Sequence, residues 1–255
     1  MKSSLIIASL LLTSFAAVAG TPAPLPPPQA PASPSGWQFR AAPYLWAQSL
    51  DGTEGVRGFT GDVDLDFGDI VEDLEFAFMG AFEARYGRWG ILTDVCYSEV
   101  GDSIETRDLL LSDANFNMKQ FLGNVTLSYR VVESESTVVE LYGGTRLNWI
   151  DLDVDATGVG GSFFSRSGDK FWADAIIGAR FQTSLGGPWF LRVAGDIGAG
   201  DSDFTWQALG LIGYKVNENC NVGIGYRGLG TDFEDGGFTY DITAHGPVLG
   251  VEWKF

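Results

Sequence analysis

One histidine and two cysteines occur in 255 residues. That is too few for a His/Cys metal cluster or a disulfide framework, so no metal and no cofactor are expected. Past residue 19 there is no run of eighteen apolar residues, which excludes a spanning helix. Basic charge is scarce as well: 16 Lys and Arg stand against 33 Asp and Glu, a formal −17. Such a chain lacks the basic footprint that nucleic-acid binding requires. What is abundant is glycine, 34 residues, together with 13% aromatics, while charged residues make up only 19%.

The first segment, MKSSLIIASLLLTSFAAVAG, has Lys2 as a short positive start and an apolar stretch from Leu5 to about Val18. Ala17 and Ala19 form an A-x-A site. Residues 1–19 therefore read as a secretory signal peptide, too short and wrongly flanked to span a membrane. Residues 20–36, TPAPLPPPQAPASPSG after Gly20, form a Pro-rich periplasmic linker that cannot join a sheet. Residues 37–255 remain for the folded domain.

Ten segments of that domain alternate apolar and polar residues with a period of two: about 37–49, 74–87, 89–101, 116–132, 137–150, 171–185, 188–200, 203–216, 220–231 and 241–255. Tight connections (Gly87-Arg88, Glu133–Ser136, Gly186-Gly187, Asn217–Asn219) alternate with long ones. This pattern predicts an all-β, closed antiparallel transmembrane β-barrel of ten strands, with eight as the alternative count. Its short turns and both termini lie in the periplasm. Cys96 and Cys220, on the third and ninth segments, lie apart in such a barrel and are expected as free thiols. The barrel is expected to be monomeric.

The side on which charges fall decides between this barrel and a soluble sandwich. In the second segment Phe76, Phe78 and Phe82 share one face, and Glu83 and Arg85 the other. The same opposition recurs in the strands that follow, so charge must face a lumen and the apolar face must meet lipid, where a midplane charge costs about 2–4 kcal/mol. The predicted lumen network contains Arg40, Glu83, Arg85, Asp94, Arg130, Glu140, Arg146, Asp174, Arg180, Arg192, Asp196, Arg227 and Glu252, with Glu75 and Lys215 on the same parity. The near balance of signs, and bulky inward residues such as Tyr44, Trp46, Tyr142, Trp172 and Phe190, favour a structural plug over an ion path.

The closing segment GPVLGVEWKF keeps its period to the last residue. Leu249, Val251, Trp253 and Phe255 lie on one side, which suits a strand that closes the barrel and ends in the lower aromatic belt. Trp253 and Phe255 are also the expected signal to the outer-membrane assembly machinery.

APYLWAQSLDGTEGV, DLEFAFMGAFEARYGRWGILTD, LYGGTR, GARF and GYRGLGTDFEDGGFTYDITAHGPVLGVEWKF resemble a widespread group of uncharacterised bacterial outer-membrane β-barrel proteins of the small type. The resemblance covers nearly all of residues 37–255. It implies a fold and an outer-membrane location in contact with lipid and lipopolysaccharide, and no catalytic motif. One departure is the run Gly225-Tyr226-Arg227-Gly228-Leu229-Gly230, where such proteins often read G-Y-R-Y-L-D.

The long connections hold essentially the whole negative charge; residues 50–73 alone carry eight acids and one arginine. Asp62, Asp64 and Asp66, like Asp151, Asp153 and Asp155, line three carboxylates on one strand face, weak sites for Ca²⁺ or Mg²⁺ at most. The simpler reading is strands continuing above the membrane. FGDIVEDL predicts one or two helical turns. His245, with Asp241 and Asp232 nearby, is the one candidate for catalysis. Its lipid-facing parity and the Gly246-Pro247 beside it argue for an interfacial histidine and against an enzyme. The expected function is a structural or surface-interaction barrel; a narrow channel for ions or small solutes is the alternative, and a protease or lipid-modifying enzyme a second.

Overall fold

The computed structural model describes residues 36–56, 59–104, 111–158 and 163–255. The signal peptide, and all of the Pro-rich linker except Gly36, lie outside the described residues. The elements are β1 (Trp37–Trp46), β2 (Ser49–Val56), β3 (Phe59–Leu65), α1 (Phe67–Glu72), β4 (Leu74–Tyr86), β5 (Trp89–Ile104), β6 (Leu111–Glu133), β7 (Thr137–Gly158), β8 (Phe163–Gly186), β9 (Trp189–Gly200), β10 (Phe204–Lys215), β11 (Cys220–Asp235) and β12 (Phe238–Lys254).

Among the described residues, β1 and β4 to β12 run in chain order as an antiparallel meander of ten strands. It closes where β12 pairs with β1, from Arg40 against Lys254 to Trp46 against Val248. The eight-strand alternative fails because each of these ten strands forms a ladder with both of its neighbours. Closure gives each of the ten barrel strands a neighbour on both sides, a requirement for a sheet that lies in hydrocarbon. The turn between β8 and β9 uses Gly186 and Gly187 at φ of 105° and 55°, backbone that suits glycine alone at little cost.

Side-chain exposure follows the sequence parity. Phe76, Phe78, Ile91, Leu127, Leu141, Ile177, Ile197, Ile224 and Leu249 stand on the outer wall between about one half and two thirds exposed. A soluble monomer rarely presents a continuous apolar surface of that size. A closed barrel with such a wall is an integral protein of the bacterial outer membrane. Rings pair at the lower edge: Trp89 with Tyr129 at 4.8 Å, Trp189 with Tyr214 at 4.9 Å and Trp37 with Tyr86 at 5.5 Å. Cys96 and Cys220 are both free.

The first long connection differs from a plain loop. After Ala47 and Gln48 the chain resumes as β2, which follows the upper part of β12 from His245 against Ser49 to Phe238 against Val56. β3 then folds back on β2. Frequent glycine and aspartate dilute the apolar period here, which conceals β2 from a pattern reading, while the alternation of Asp62 and Asp64, expected as strand, falls within β3. The break coincides with Gly246, where a Cβ would lie 1.7 Å from the Ala47 carbonyl oxygen, so only glycine permits the approach. The expected helical turn is present as α1, with Phe67 exposed at its start.

This orientation has a direct check. Protease added to intact cells is expected to cut within 50–73 or 151–170 and to spare 133–136 and 217–219. Cutting confined to permeabilised cells would invert the barrel.

Candidate functional site in the lumen

The period-two geometry of the wall puts one row of side chains from every strand into the lumen. In the lower half two buried carboxylates organise the arginines. Arg85 Nη2 lies 2.6 Å from both Glu83 and Glu140; Arg130 Nε donates to Glu140 at 3.0 Å and Arg180 Nη1 to its other oxygen at 3.1 Å. Arg40 reaches Glu83 at 3.6 Å, and Arg130 also holds Glu133 at 2.6 Å. Arg192 and the amide of Asn221 share Glu252.

A second layer crosses the middle. Arg146 is fully buried and uses three nitrogens: Nη2 to Asp196 at 2.7 Å, Nη1 to Thr205 at 2.7 Å and Nε to Asn124 at 3.0 Å. Tyr142 donates to the other oxygen of Asp196. Beside it Arg227 donates to Tyr44, Asp94 and Gln207, and its guanidinium stacks 4.5 Å from the Trp46 ring centre. Tyr44 in turn donates to Asp94 at 3.2 Å. Each buried charge thus meets several partners, the condition under which a buried ion pair is tolerated.

Of the thirteen predicted lumen charges, twelve join these networks. Asp174 is the correction: it is buried and lies opposite Arg146 in register, but its two oxygens accept from the backbone N–H and hydroxyl of Ser202 at 2.8 Å. It secures the turn between β9 and β10 instead. Glu75 and Lys215 are exposed; Glu75 lies at a register shift between Leu74 and Phe76, which displaces it from strict alternation. Gln207 and Thr205 are members that a search for charge passes over; only their inward parity marks them.

Cavities flank the middle layer. Below it, spaces of about 140 and 170 Å³ share Asp94, Arg192 and Glu252. Above it, spaces of about 20 and 140 Å³ share Gln48, Gln120 and Tyr240. The upper one is roofed by β2, β3 and α1 through Leu50, Glu54, Val63, Leu65 and Ile70.

Burial raises the Glu54 carboxyl above the usual carboxylate range. Because the folded value exceeds the unfolded one, both states are protonated at low pH and the folded hairpin alone resists ionisation. The resulting loss of stability sets in as pH rises through the unfolded value and is complete above the folded one. Protease resistance of the β2–β3 hairpin is therefore expected to fall across that window. Glu54→Gln should remove the dependence; an unchanged pH profile in that variant would count against burial as the cause.

His245 lies outside the lumen. Its Nδ1 is 2.6 Å from the Tyr226 hydroxyl and its Nε2 is 2.5 Å from Asp51, with both residues exposed on the outer wall. The carboxylate comes from β2 and is neither Asp241 nor Asp232, because β2 runs alongside β12 at this height. Among the described residues no three His, Cys, Asp or Glu gather to hold a metal ion.

No family model and no curated protein matches the chain. Solved structures do resemble it. The outer-membrane protease OmpT of Escherichia coli is 9% identical at a TM-score of 0.47, covering 89% of this chain and 99% of that one. Ail, the attachment invasion locus protein of Yersinia pestis, solved with the heparin analogue sucrose octasulfate, is 13% identical at 0.39, covering 87% and 99%. The translocator domain of the autotransporter NalP from Neisseria meningitidis is 12% identical at 0.41, covering 86% and 88%.

Proposed function

We propose that this outer-membrane barrel is a closed envelope component of structural or surface-interaction type, with a lumen sealed by paired charges and an acidic outer rim. It is neither a diffusion channel nor an enzyme. The middle layer of Arg146, Asp196, Arg227 and Asp94 carries the reading, since every guanidinium nitrogen of its two arginines meets a partner there and the cavities lie on either side of it. The rim would meet lipopolysaccharide phosphates through divalent cations, which offset the repulsion of like charges. The alternative, a narrow solute path, is favoured by the cavities on both sides of the layer. Purified barrel in a planar bilayer separates the two: rare, small openings are expected, and a steady ohmic conductance of porin size would establish the channel.

In the same reading the last strand serves assembly. The Phe255 backbone exchanges two hydrogen bonds of 3.0 Å with Phe39, and its ring stacks on Phe39 at 6.1 Å. Deleting Phe255 removes both bonds and the outward anchor of the closing strand. The amount of heat-modifiable barrel in the outer membrane is expected to drop. Unchanged levels would remove the assembly role from this residue.

A further inference from the structure

Three buried donors toward the outer end of the lumen have no acceptor among the described residues; one, Nε1 of Trp172, is packed against Phe233 and Tyr240, and the other two face the upper cavities. These two are Nε1 of Trp46 and Nδ2 of Asn148, in residues only 3% and 6% exposed. An unmade hydrogen bond in such a place costs about 1–3 kcal/mol, so an uncompensated pair calls for an explanation. Both residues line the smaller upper cavity, which shares Gln48, Ser98, Gln120, Tyr240 and Ile242 with the one of about 140 Å³ beneath β2, β3 and α1. That larger space is walled mainly by apolar side chains, among them Leu50, Val63, Val100, Met118, Ile150 and Ile242. Gln48, Glu54, Ser98, Gln120 and Tyr240 supply its polar lining, and about 150 Å³ is room for a single benzene-sized ring.

We propose that this outer chamber binds a small uncharged molecule made of one six-membered ring and one acceptor oxygen. The ring occupies the apolar part, and the oxygen points inward to the two orphaned donors. Charge on the ligand is disfavoured on either sign. An anion would face the acidic rim and Glu54, and a cation offers nothing that an N–H donor can use. The route in would lie through the side wall between β1 and β4, whose ladder is short. Pairing of β1 with β4 ends at Pro43 against Gly80, and above it the backbone N–H of Trp46 donates to Met79 Sδ at 3.2 Å in place of a carbonyl. The inference does not depend on the sealed lumen, because the chamber lies on the outer side of the middle layer and shares only the Trp46 ring with it.

The probe is 4-fluoroacetophenone, followed by ¹⁹F NMR with the folded full-length protein in detergent, with 4-fluorotoluene as the same ring lacking the oxygen. Wild type is expected to give a saturable signal distinct from micelle partitioning, weaker for fluorotoluene by roughly two- to tenfold, the worth of a hydrogen bond. Trp46→Phe should weaken fluoroacetophenone by a similar factor and leave fluorotoluene unaltered. Val63→Phe fills the chamber from the hairpin, outside the barrel wall, and Val100→Phe fills it from the wall; both should abolish saturation while heat-modifiable mobility certifies the fold. Partitioning alone, equal in wild type and filled variants, overturns the site. Equal affinity for the two probes overturns the role given to the donors.

Discussion

Arg146→Ala is expected to lower the unfolding free energy of the barrel by about 3–5 kcal/mol, the cost of leaving a buried partner charge stranded. The side chain has no exposed surface, and its loss strips Asp196 of its only ion-pair partner at 2.7 Å among the described residues. Asn124 and Thr205 lose a donor each at the same time. Removing both charges should cost far less: Arg146→Met with Asp196→Leu replaces the pair by apolar volume and leaves no lone carboxylate. The control on the lipid face, Val125→Leu, keeps an apolar group in contact with lipid and should stay within about 0.5 kcal/mol. Urea titration of liposome-folded barrel, read by tryptophan emission and by mobility on gels, provides all three values. A loss below about 1 kcal/mol for Arg146→Ala would mean that water already reaches Asp196, as at an exposed pair.

Most of this architecture was legible because membrane and lumen impose opposite chemistry on alternate residues. Glu83 and Arg85 against Phe78 and Phe82 could be read from spacing alone, and the structure keeps each on its predicted side. What spacing cannot carry is the choice of partner. Arg146 and Asp174 face each other across β7 and β8, yet Arg146 turns to Asp196 on β9 because Ser202 already satisfies Asp174. His245 was placed outward correctly, but its carboxylate lies 194 residues away on a strand whose glycines hide it. The outer chamber was invisible for a related reason. It is formed by β2, β3 and α1 folding over the lumen, and orphaned donors such as Trp46 Nε1 exist only once their surroundings are fixed.

The remaining large effect concerns the middle layer as a seal. Arg227 fills the gap between the lower cavities and the outer chamber, held on three sides by Asp94, Tyr44 and Gln207 and capped by the Trp46 ring. Replacing both charges, as in Arg227→Ser with Asp94→Ser, removes the side chain at the centre of this cluster and leaves hydroxyls that water can join. Discrete openings in planar bilayers should then become many times more frequent than in wild type. The single variants predict the sign of selectivity, since a ring of one charge favours the opposite ion. Arg227→Ser leaves Asp94 facing the new path and should pass cations preferentially. Asp94→Ser leaves Arg227 and should shift preference toward anions. Reversal potentials under a salt gradient measure this directly. If the double variant stays as silent as wild type, the seal lies elsewhere, and the Arg146–Asp196–Tyr142 cluster alone is sufficient to close the barrel.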